Sequence, residues 1–160
     1  MNFPCWLPKM HPVGSLDRKT YYELYQIFRN DFILSKPLFC GKKVFIFPEM
    51  EDGKEKIFWH LTTRDDKKAK QRLPDLRRSE RLPWIKPIID NFLAPEILVW
   101  DYEEASKDIH TYFFFEKGDF VVILKKCNKR LYLLTAYWIE YNHQKTKLIK
   151  KYENKICGYK

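Results

Sequence analysis

Apolar positions along the chain change their spacing twice, and each change predicts a change of structure. In residues 18–34 the set Tyr21, Leu24, Tyr25, Ile27, Phe28 and Phe32 recurs at intervals of three and four, the period of a helix with one buried face. Asp17 stands where an N-cap belongs, and Pro37 and Gly41 end the pattern. Ahead of it, Pro4, Pro8, Pro12 and Gly14 make residues 1–16 an irregular arm. Residues 42–48 then alternate and are rich in Val, Ile and Phe, and residues 56–63 form a second apolar run. With Asp52-Gly53 between them, the two runs predict a hairpin. Residues 64–72 are almost all polar, hence loop or exposed helix. Residues 74–90 read as a broken helix. Asp75 caps a first segment, and Pro83 opens a second at a position where its missing N–H costs nothing. Pro87 predicts a kink or a short tight helix.

After Pro95 the spacing turns β-like. Residues 97–100, 111–116, 119–127 and 130–140 are four β-rich runs. Connections as short as Lys117-Gly118 and Cys127-Asn128-Lys129 force antiparallel neighbours. The helix after Asp17 and the helix after Pro83 are the available covers for such a sheet, and residues 143–155 offer a last basic helix. The fold class expected is α+β: N-terminal helix and hairpin, central helix, then a four-stranded antiparallel meander. At 160 residues the chain reads as one domain. Residues 1–16 form the arm, 17–140 the core and 141–160 a basic tail or helix.

Composition adds limits. Hydrophobic content of 45%, with 17% aromatic, implies a packed interior rather than disorder. No apolar run approaches the roughly 20 residues that span a bilayer, and the N-terminus lacks the basic start and long apolar core of a secretory signal. A cytoplasmic protein with no membrane contact is expected. Cys5, Cys40, Cys127 and Cys157 show no metal-ligand or redox spacing. They are expected to be reduced apolar fillers, and no cofactor is implied.

Charge changes the picture most. The net charge is +9, and it is concentrated. Residues 64–86 hold nine Lys/Arg against four Asp/Glu, and residues 143–160 hold six Lys against one Glu. That clustering suits a polyanion such as nucleic acid, although a solvated basic face is the plain alternative.

Within the first basic segment lies a set of groups able to cleave RNA without a metal. Attack of a 2′-hydroxyl on the adjacent phosphorus needs a base, an acid for the leaving oxygen, and positive charge on the phosphorane oxygens. His60 can serve as acid or base near neutrality. Arg64, Arg77, Arg78 and Arg81 can supply fixed charge and forked hydrogen bonds. Thr135 and Tyr137, two apart on one strand, point to one sheet face. Each has a plain alternative: His60 as a hydrogen-bonded core histidine, the arginines as a helix face paired with Asp75 and Glu80, and Tyr137 as core. Asp101, Glu103 and Glu104 form a carboxylate cluster, but no second cluster accompanies it for a two-metal nuclease. There is no glycine-rich phosphate loop.

Phe58-Trp59-His60-Leu61, Arg78-x-x-Arg81-Leu82-Pro83-Trp84-Ile85 and Tyr132-Leu133-Leu134-Thr135-Ala136-Tyr137 occur in this order. Together they resemble the phage members of the barnase–EndoU–colicin–RelE-like nuclease superfamily, over roughly residues 42–140. The resemblance implies a helix-then-meander fold and metal-independent endoribonuclease activity in phage, mobile-element or toxin–antitoxin conflict. An acidic antitoxin or immunity protein would be the partner. It carries His60, Arg81, Thr135 and Tyr137 over as the catalytic set, with Arg78 and Arg64 beside them. Arg64, Arg77 and Arg78 are the expected substrate-binding residues. The rivals are a non-catalytic nucleic-acid-binding module, with aromatic and basic groups holding a single strand, and a phage interaction protein.

Overall fold

The computed structural model describes residues 2–160. Helix α1 (Arg18–Arg29) is capped by Asp17, whose carboxylate accepts from the Thr20 N–H at 2.9 Å, and runs on through a π-helical turn over Asn30–Leu34. Strands β1 (Leu38–Phe39) and β2 (Lys42–Phe45) follow, then a two-residue hairpin of β3 (Met50–Glu51) and β4 (Lys54–Glu55). Helix α2 (Lys56–Thr62) leads into β5 (Thr63–Asp66), which pairs with β6 (Gln71–Pro74). Helix α3 (Leu76–Glu80), a 3-10 turn at Leu82–Trp84 and α4 (Ile85–Asp90) make the predicted broken helix, with Asp75 accepting from the Arg78 N–H. Strands β7 (Ile97–Glu103), β8 (Ile109–Phe115), β9 (Phe120–Cys127) and β10 (Arg130–Trp138) precede α5 (Asn142–Glu153) and the short β11 (Cys157–Gly158).

The result is a mixed α+β fold around a seven-stranded sheet of order β1-β2-β10-β9-β8-β7-β11. Neighbours from β7 to β10 pair antiparallel, β2 lies parallel to β10, and β11 closes the far edge against β7. Alternate residues face opposite ways along each strand. Phe113 and Phe115 of β8 and Phe120, Val122 and Leu124 of β9 enter a core covered by α1, α2 and α4, through Phe28, Phe58 and Ile88 among others. Tyr112, Phe114, Val121 and Ile123 face the other way, under Leu148 of α5. The N-terminal arm is irregular but docked. Phe3 meets Trp84 edge-on at 5.3 Å, and Trp84 Nε1 donates to the Pro8 carbonyl at 3.0 Å. Gly118 closes the β8–β9 turn against the same indole: a Cβ there would lie 2.5 Å from Phe115 Cε1.

Three expectations are corrected. The hairpin of residues 42–48 with 56–63 does not form. Asp52 and Gly53 do turn the chain, with φ of 48° and 78°, but they join β3 to β4. Residues 56–62 are helical because Ile57, Phe58, Leu61 and Thr62 repeat at helical spacing and are the ones buried. A run this short cannot be assigned from composition, and burial decides it. Freed from that hairpin, β2 pairs with β10 and seals Val44 into the core. Second, the polar stretch 64–72 contributes to a hairpin, β5–β6. Third, the cysteines are not core fillers: Cys5, Cys40 and Cys157 are exposed and Cys127 is half-buried.

Candidate functional site

Strand β10 is paired on its outer edge only at Leu131 and Tyr132, where β2 ends. Beyond that point helices α2 and α3 pack against it. A bulge interrupts the strand there. Leu133 opposes Leu124, but Thr135, not Leu134, opposes Ile123. The extra residue reverses the facing of everything that follows. Leu131 and Leu133 lie in the α1/α2/α4 core, and so does Ala136, three residues beyond Leu133. Thr135 and Tyr137 therefore share the face of their partners Ile123 and Val121, away from that core.

His60, in the last turn of α2, reaches this edge. Its Nε2 shares a hydrogen bond of 2.9 Å with Thr135 Oγ1. Its ring also lines a hollow of about 230 Å³ with Phe47, Glu49, Lys56 and Ile57. Two guanidiniums hold the main chain just behind the ring. Arg78 Nη1 donates to the His60 carbonyl at 3.0 Å, and Arg72 Nη2 donates to the Thr63 carbonyl at 2.9 Å and to that of His60 at 3.4 Å. These carbonyls are the ones a helix end leaves unpaired. Arg72 is fixed in turn by Thr63 Oγ1 and Asp65, each at 2.8 Å. Burial, then the charges of Arg72 and Arg78, push the His60 imidazole down to about 4. It is neutral at physiological pH, so it has no proton to supply as an imidazolium, and the same depression lowers its strength as a base.

Arg78 connects the imidazole to the second half of the site. Its guanidinium lies 5.7 Å from the Tyr137 ring centroid, and its Nε stands 3.6 Å from Asp75. Tyr137 and Arg78, with Arg64 and Arg77, line a separate hollow of about 320 Å³ whose acidic members are Asp75 and Glu140. Burial raises the Tyr137 phenol, against the lowering effect of Arg78, so it stays protonated. The chain thus brings His60 to Thr135 and Arg78 to Tyr137. The two pairs open into different hollows, with Arg64 and Arg77 in the second, and the bond from Arg78 to the His60 carbonyl is the link between them.

Arg81 is not part of this cluster. It is 7% exposed, bonds the Arg77 carbonyl and Glu80, and lies between the Trp84 and Trp138 rings at 5.3 and 5.6 Å. The sequence motif names it, but its guanidinium is turned inward as a packing group. Arg72, which sequence reasoning passed over, is the opposite case. Its position in a polar run carries no local signal, and only the β5–β6 pairing returns it to α2. The acidic cluster at 101–104 is also split. Asp101 accepts from Thr111, Tyr159 and Lys126, while Glu104 accepts from Lys151 and Tyr112.

No helix among the described residues is long and apolar enough to cross a membrane. No protein-family model matches the chain, nor does any curated protein or any solved structure.

Proposed function

We propose that the chain is a metal-independent endoribonuclease of the barnase–EndoU–colicin–RelE-like kind. The observation that carries the reading is the contact of His60 with Thr135, 75 positions apart, beside a guanidinium anchored on the His60 carbonyl. The neutral imidazole takes the 2′-hydroxyl proton as that oxygen attacks phosphorus. Thr135 holds the ring in register. Arg78, with Arg64 and Arg77, receives the charge that develops on the phosphorane oxygens. The Tyr137 phenol donates to the departing 5′-oxygen, which leaves a cyclic phosphate and a 5′-hydroxyl. Arg81 supports the segment that carries Arg77 and Arg78. A toxin acting in phage or mobile-element conflict, held silent by an acidic antitoxin, fits a basic enzyme of this kind.

The test is cleavage of an RNA in excess chelator by wild type and by His60→Ala, with growth of a bacterial host expressing each. Loss of products carrying cyclic phosphate ends, together with relief of growth arrest in the variant, is expected. Full cleavage by His60→Ala removes the imidazole from the mechanism. One observation favours a non-catalytic single-strand binder instead: arginines stacked on Tyr137 and Trp138 make a cationic aromatic surface. Salt-dependent RNA binding without product under any condition selects that reading.

A further inference from the structure

At the other end of β10 the fold builds a second basic hollow, of about 270 Å³. Its floor is apolar: Phe39 and Leu131, 2% and 6% exposed, close it from below, and the half-buried Tyr159 ring meets Phe39 edge-on at 4.8 Å. Lys42, Lys126, Lys129 and Arg130 also line it. The C-terminal strand closes it, since β11 pairs with β7 and delivers Tyr159 against β1.

Two of the cations, Lys126 and Arg130, are held by the protein. Asn128 and Lys129 have φ of 51° and 64°, the left-handed pair of a tight hairpin turn. That turn presents Lys129 and Arg130 at the mouth. The Arg130 guanidinium lies 5.0 Å from the Phe45 ring centroid. Asp101, 4% exposed, binds Lys126, and its remaining capacity goes to Thr111 Oγ1 at 2.7 Å and the Tyr159 hydroxyl at 2.8 Å. The one carboxylate behind the hollow is therefore spent inside the protein, where it pairs with Lys126, and no acid lines the hollow itself.

One accessible ring over an apolar floor, beside a cluster of cations, describes a specific ligand. An inorganic phosphate has no use for the ring, and an aliphatic acid none for four cations. A nucleobase carrying a phosphate uses both, through ring contacts and charge-assisted hydrogen bonds. The volume, about 270 Å³, falls just short of the roughly 300 Å³ at which small-molecule sites begin, and so limits the ligand to one nucleotide unit. We propose that this hollow is a nucleotide site, with the base against the half-buried Tyr159 ring, over the floor made by Phe39, and the phosphate on Lys126, Lys129 and Arg130. It stands apart from the His60 cluster: Arg130 and Thr135 are five residues apart on one strand, about 17 Å. The assignment does not depend on the nuclease reading.

Calorimetric titration with adenosine 5′-monophosphate, adenosine and inorganic phosphate tests it, with amide shifts recorded by NMR. The monophosphate should bind at least tenfold more tightly than either fragment and shift the amides around Phe39 and Tyr159. The double variant Lys129→Gln/Arg130→Gln alters one exposed turn residue and the exposed first residue of β10 and should lose at least tenfold in affinity while keeping its melting temperature. A pentanucleotide that binds more tightly than the monophosphate, and loses that margin in the variant, assigns the site to a nucleotide within a strand. Equal affinity assigns it to a free nucleotide. Binding no tighter than inorganic phosphate, affinity unchanged in the variant, or shifts confined to the surroundings of His60 would overturn the proposal.

Discussion

Arg78 donates from Nη1 to the main-chain carbonyl of His60 at 3.0 Å, so that one cation both ends helix α2 and charges the surroundings of the imidazole. Backbone geometry and proton affinity are thereby coupled at this position. A hydrogen bond from a charged donor to a half-buried carbonyl contributes roughly 1.5–3 kcal/mol.

The coupling predicts the behaviour of Arg78→Met. Stability should fall by about 1–3 kcal/mol as the carbonyl loses its donor, read from urea unfolding. The His60 pKa should rise from its depressed value, because one of the two neighbouring cations is gone. It should stay below that of a solvent-exposed histidine, because burial is the larger cause. An NMR titration of the His60 ring measures this, and an unchanged pKa would show that the Arg78 charge does not reach the ring.

Stability against pH carries a second prediction. The folded His60 pKa, about 4, lies below the value of 6.5 for a free side chain. Between these values the unfolded chain binds the extra proton, so stability falls as pH drops from 6.5 towards 4. Asp31 acts in the opposite sense. Burial raises its folded pKa to about 6 from 3.8, so the folded state holds the extra proton, and stability falls as pH rises through that window. Thermal melts from pH 4 to 7 should show the two effects partly cancelling in wild type. His60→Gln should leave the falling slope of Asp31, and Asp31→Asn the rising slope of His60.

Thr135 is predicted to act through its hydroxyl. Thr135→Val keeps the shape but removes the partner of His60 Nε2, with a cost of about 1 kcal/mol and slower RNA cleavage. Thr135→Ser should restore both. A Val variant with unaltered cleavage would mean that the imidazole needs no orienting group.

Arg81 should separate fold from chemistry. Arg81→Met removes its bonds to the Arg77 carbonyl and to Glu80, with an expected loss of about 1–3 kcal/mol. Cleavage per folded molecule should hold at temperatures well below the melt. Arg78→Met in the same assay should lose cleavage outright. If Arg81→Met is stable but inactive, the guanidinium turns outward when RNA binds.

Sequence alone determined those parts in which neighbouring residues suffice. The Asp17 cap and period of α1, the segmented helix from Asp75 to Asp90, the helix after Tyr141 and the α+β class are all statements about spacing within one segment. It also nominated His60, Arg78, Thr135 and Tyr137, because their residue types suit the chemistry. Tertiary structure alone decided what those residues meet. Residues 56–62 could be strand or helix, and packing of Phe58 and Leu61 chose helix. The facing of Thr135 and Tyr137 depends on one bulge residue, which is set by the partner strand. Arg72 and Arg81 look equivalent as letters, yet one stiffens the end of α2 and the other packs between indoles. A guanidinium on a flexible stem has no local preference strong enough to direct it, so its place is settled by whichever carbonyls, carboxylates and rings the completed fold leaves within reach.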